Sequence, residues 1–176
     1  MTETVAPPPS SERFGPMLTV TVVGSTIVLL LATAGLLNLV VAHRPIPDSL
    51  RSGVVIAHLS SVMIALPIGI SQLVLPKGTF RHRIVGYIWL SLMVFTALVS
   101  FAIHTIIPGG LSPIHLFSVL TLVLAPIIVW RARRGAVEQH RRAVLGLMLG
   151  GLAIAGLFTF LPGRALGQLV FGIFRP

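Results

Sequence analysis

Six histidines, His43, His58, His82, His104, His115 and His140, are the residues of this chain best suited to chemistry. The acidic side chains are only Glu3, Glu12, Asp48 and Glu138, all outside the long apolar runs, and cysteine is absent. With no carboxylate at membrane depth, the pattern argues against proton-coupled transport and metal-assisted hydrolysis. The lack of thiols excludes disulfides, iron–sulfur clusters, thiolate metal sites and covalent haem attachment. Gly-rich phosphate loops, Gly-x-Ser-x-Gly and His-Glu-x-x-His are missing too, so no catalytic residue is assigned and the chain is not read as an enzyme or a non-enzyme. Neutral imidazole can serve as an axial haem ligand, as a copper or zinc ligand, or as a hydrogen-bonding group between helices.

The elements that position these imidazoles follow from composition. Of the 176 residues, 55% are hydrophobic and 10% charged, with a mean hydropathy of +0.97. That is too much apolar surface for a soluble core, and the expected fold is an all-α integral membrane bundle. Five runs, at about 17–42, 53–75, 84–107, 112–130 and 142–161, are each long enough to cross a hydrocarbon layer of about 30 Å. Spans two to five are expected to form a core of four. Residues 1–16, MTETVAPPPSSERFGP, read as a disordered tail, 17–162 as the bundle and 163–176 as an interfacial C-terminal segment. Pro67 and Pro126 fall inside spans and predict local kinks.

The net charge of +9 comes from basic residues clustered at the ends of apolar runs, a pattern for lipid phosphates rather than nucleic acid. The tail with the second and fourth connections holds nine of the thirteen, from Arg13 and Lys77 through Arg142; the other face holds Arg44, Arg51, Arg164 and Arg175. The positive-inside rule then places the N-terminus in the cytoplasm and the C-terminus outside, across a plasma membrane.

On this topology His58, His104 and His115 share one depth on three spans near the outer face. His82 and His140 lie at the inner face, each beside arginine as Arg-His-Arg and His-Arg-Arg. In an up-and-down bundle alternate helices are diagonal, so His58 would face His115 and His82 would face His140, as two b-type haems require. Gly86, one turn after His82, and the glycines of span five would make room for a macrocycle. The two levels are roughly 30 Å apart by helix rise, long for direct electron exchange, so a single outer site competes, and its three histidines could hold copper or zinc. His58, His104 and His115 can each equally serve as interhelical hydrogen-bond partners, and His82 and His140 as headgroup contacts. Gly146 and Gly150, with Gly151 and Ala155 one step on, fit close helix approach within the bundle or between protomers.

The strings PKGTFRHRIVGYIW (76–89), LSPIHLFSVLTLV (111–123) and HRRAVLGLMLGGLAIAGLFTFLPGR (140–164) resemble the bacterial membrane-protein family called domain of unknown function 2306. That resemblance implies a multi-span bundle without an established activity. Histidines on consecutive spans, alternating between leaflets, also look like the cytochrome b-561 class. This second resemblance implies haem b held by His58 with His115 and by His82 with His140, electron transfer within or across the membrane, and a quinone or redox partner at the basic loops. A different expectation is a non-redox accessory or assembly subunit of a larger complex.

Reporter fusions at residue 10 and after Pro176 should report opposite sides of the membrane, the first cytoplasmic; both on one side would remove the five-span topology.

Overall fold

A computed structural model describes residues 10–41, 43, 46–103, 112–162 and 164–171. Among these residues the fold is helical throughout, and five helices are long and apolar enough to cross a membrane. They are α1 (Ser10–Val41), α2 (Gly53–Val74), α3 (Phe80–Ser100), α4 (His115–Arg133) and α5 (Val137–Phe158). A 3₁₀ turn, Asp48–Arg51, precedes α2, and a short helix α6 (Ala165–Phe171) follows α5.

Local chemistry explains the ends. Thr79 caps α3 by accepting the His82 amide at 3.1 Å, while Gly78 takes a left-handed φ of 78° that lets the chain reverse from α2. Gly135, at φ 68°, turns α4 into α5 in the same way. The first helix begins at Ser10, so it takes in residues 10–16 of the segment read as tail; residues 1–9 lie outside the described residues. Pro16 lies inside this helix, in its second turn.

Helix packing runs in a ring: α2 on α3, α3 on α4, α4 on α5, with α1 closing the gap between α5 and α2. The first span therefore belongs to the core, and the expected core of four is a core of five, with Val28 and Ala32 buried in it. Small residues allow this. A Cβ on Gly156 would stand 2.7 Å from a Val28 methyl, and one on Gly24 would stand 3.3 Å from Ala153 Cβ. Within the segment read as interfacial, the helix Ala165–Phe171 is docked on α1, where Leu169 is buried and its carbonyl accepts from the Asn38 amide at 3.3 Å.

An equally close approach is at Gly69 of α2. A Cβ there would meet Trp89 Nε1 at 2.7 Å and Met148 Cε at 2.9 Å, both fully packed side chains of α3 and α5. The glycines of α5 divide differently from the expected pair. Gly151 sits tightly against Met93 and Thr121, and Gly150 touches Leu120, whereas a Cβ on Gly146 would meet nothing within 4 Å. The reason is a π-helical segment, Met148–Ile154, which shifts the facing of α5 between these glycines.

Gly69→Val should lower stability by about 1–3 kcal/mol through overpacking, and Gly146→Ala should leave it within about 0.5 kcal/mol, as read by reversible unfolding in mixed micelles.

Candidate functional site

The hydroxyl-bearing residues Thr96 and Ser100 lie one turn apart on α3, and their backbone carbonyls each receive an imidazole. His58 of α2 donates from Nδ1 to the Thr96 carbonyl at 3.2 Å. His115 of α4 donates from Nε2 to the Ser100 carbonyl at 3.0 Å. A carbonyl accepts only, so these bonds fix the proton on Nδ1 of neutral His58 and on Nε2 of neutral His115. The Nδ1 atom of His115 then accepts the Ser112 amide at 2.9 Å, and Phe101 stacks on the ring at 5.6 Å between centroids. Both nitrogens of His115 are thus engaged, and the residue is only 5% exposed. In His58 the Nε2 atom has no protein partner among the described residues and acts as an acceptor.

Hydroxyl groups around the two rings satisfy one another. Ser61 and Thr96 Oγ atoms are 2.7 Å apart, Ser100 and Ser118 Oγ atoms 2.5 Å, and Thr121 donates to the Phe117 carbonyl. Such pairing is what a low-dielectric interior demands.

His58 and His115 border an open-mouthed cavity of about 230 Å³ lined by all five spans and the start of α6. Its wall is mainly aliphatic, with Leu59, Leu66 and Leu152 among the lining residues. Gly151 and Gly156, on either side of the end of the π segment, also border it, so the altered turn contributes to the wall. Arg164, between α5 and α6, is the one formally charged residue among those that line the space. Sequence reasoning counted Arg164 only as an end-of-span charge, and the carbonyl-bearing turn 96–100 was not singled out. A lone cation just beyond a last span, and hydroxyl residues spaced by four on α3, were the available signals.

At the opposite, arginine-rich end, His82 lies within electrostatic reach of His140 and Lys77. His140 donates from Nδ1 to the Ile128 carbonyl of α4 at 3.0 Å. Burial, and then the nearby Arg141 charge, lower the Lys77 ammonium below the usual lysine range; its Nζ donates to the Leu73 carbonyl at 2.6 Å. Arg134 stacks over Trp130 at 4.2 Å, and Arg133 reaches the Tyr87 hydroxyl at 3.4 Å. Beside Gly86, where room for a macrocycle is expected, a Cβ would already be in van der Waals contact with Gln72 Oε1, at 3.6 Å.

His58 and His115 thus border one cavity and His82 lies near His140, but the four imidazoles differ in freedom. His104 lies outside the described residues, and among the described residues no group of three histidine or acidic side chains could hold a metal ion. The outer pair does not fit an iron between two imidazoles as it stands. Axial ligation by His115 would have to break a bond to Ser100 or Ser112, and the cavity is smaller than the about 300–1,000 Å³ of ordinary small-molecule pockets.

Five apolar helices closed into a ring, with the buried side-chain polar groups among the described residues paired apart from Ser25 Oγ, Trp89 Nε1 and Arg131 Nε, define a polytopic helical membrane protein. The chain belongs to the family described as predicted membrane protein (DUF2306), whose model matches residues 55–147, from the first turn of α2 to the start of the π segment. No curated protein and no solved structure matches it.

His115→Ala should destabilise the protein by about 1–3 kcal/mol, because it strips partners from buried backbone groups. His58→Ala should lose less than about 1 kcal/mol, having one bond at a cavity edge. Unfolding midpoints of the two variants measured side by side in one detergent check the order.

Proposed function

We propose that the protein is a membrane-embedded binding protein for a small lipophilic molecule with one polar end. The observation that carries this reading is the cavity itself: its wall is largely aliphatic, and His115 and the hydroxyls of Thr96, Ser100, Ser118, Thr121 and Thr159 are bonded to one another or to the backbone. His58 Nε2, the Ser49 hydroxyl and the Arg164 guanidinium are left as the groups able to address a ligand. An apolar space with a few convergent polar atoms is the usual form of a ligand site, and lipid is a ready source of apolar molecules. At about 230 Å³ the space is smaller than ordinary small-molecule pockets of about 300–1,000 Å³, so a larger ligand must widen the mouth.

A bound lipophile should appear by native mass spectrometry of protein released from membranes. Leu59→Trp, which fills the wall, should cut the bound fraction about tenfold or more without loss of thermal stability. Wild-type protein that carries nothing, or a filled variant that binds equally well, overturns the proposal.

A second reading is haem b with electron transfer to a quinone or a redox partner, and the observation that favours it is at the arginine-rich end. There His140 is oriented by a backbone carbonyl through Nδ1, which leaves Nε2 for a ligand, and His82 is near. On this reading protein from haem-replete cells is coloured, and His140→Ala and His82→Ala each remove most of the pigment, while His58→Ala and His115→Ala remove little. A colourless wild type defeats it. A copper or zinc site predicts metal without porphyrin in the same preparations.

A further inference from the structure

The geometry points to an anionic head group on the ligand of the cavity, paired with Arg164, with a short apolar body inside; this rests on the binding role proposed above. Arg164 is held by its backbone rather than by its side chain. Its amide donates to the Leu161 carbonyl at 3.1 Å, and its carbonyl accepts the Gln168 amide at 2.9 Å, which fixes the residue at the entry to α6. Among the described residues no carboxylate pairs with it. Asp48 is 3.5 Å from Arg51, and Glu138 is bonded to Arg142 in the first turns of α5, at the arginine-rich end.

Charge complementarity then selects the head group. A guanidinium offers a planar fork of donors that matches a carboxylate or phosphate, and the hydrogen bond gains strength where apolar walls exclude water. His58 Nε2 is an acceptor and cannot replace Arg164 in holding an anion. A space of about 230 Å³, below the about 300–1,000 Å³ of ordinary small-molecule pockets, suits one short chain better than a full-length diacyl lipid. The ligand class is therefore a medium-chain amphiphile with a carboxylate or phosphate head.

The test uses the full chain in nanodiscs of zwitterionic lipid at pH 8, with empty nanodiscs subtracted and radiolabelled decanoate, decyl phosphate and decanol as probes. Wild-type protein should bind one or both anions about tenfold or more tightly than decanol. Decanoate alone or decyl phosphate alone identifies the head. Arg164→Gln should bring the anions to within about twofold of decanol without changing decanol binding, and Arg51→Gln, a cation already paired with Asp48, should leave the preference intact. Equal binding of anions and alcohol by the wild type, or an anion preference that survives Arg164→Gln, overturns the anionic head while leaving the cavity's binding role standing. No binding of any probe above empty nanodiscs overturns both.

Discussion

In a hydrocarbon environment a backbone or side-chain polar group with no partner costs several kcal/mol, and the turn of α3 from Thr96 to Ser100 is where this protein meets that constraint. Its carbonyls at Thr96 and Ser100 receive imidazoles from helices on both sides, so α2 and α4 are registered against one shared turn. The registration fixes more than two contacts. Once His58 and His115 are seated, Ser61 meets Thr96 and Ser118 meets Ser100, and the apolar side chains between these levels line the cavity. Each of these bonds is modest singly, yet an alternative helix rotation would strand several polar groups together.

The same constraint separates the two histidines chemically. His115 bridges Ser112 to Ser100 and has become a structural strut with no lone pair to offer. His58 is oriented by one bond and keeps a nitrogen for something else. The residue type is the same for both, and they meet α3 one turn apart; what differs is the loop residue Ser112, whose amide and carbonyl both lie 2.9 Å from the His115 Nδ1 atom.

This is the boundary of what could be read from the chain. Five spans were legible because length and hydropathy set them directly, and the depth of His58 and His115 followed from counting residues inward. Rotation about a helix axis is another matter. Hydrophobicity encircles each span, so nothing in the composition says that Gly151 faces Met93 while Gly146 faces open space. The π segment compounds the difficulty, since an altered turn changes every later facing and leaves no mark in residue type. Arg164 was visible as a charge, but its place at the cavity depends on α6 folding back onto α1, a long-range contact that local pattern does not encode.

That fold-back has a bearing on how the protein is made. The α2 and α3 pair, joined by a tight Gly78 turn, can settle against each other as soon as both have left the ribosome. The first helix has a different fate: apart from α2, its partners are the π segment and α6, the latter synthesised roughly 120 residues later. At about 5–20 residues per second, α1 waits about 6–25 s in the bilayer with Gly24, Gly35 and Thr21 turned toward lipid or a temporary partner. Biogenesis therefore ends by capturing an early span with the last elements made, and an insertase or chaperone that shelters α1 during this interval would act before the cavity exists.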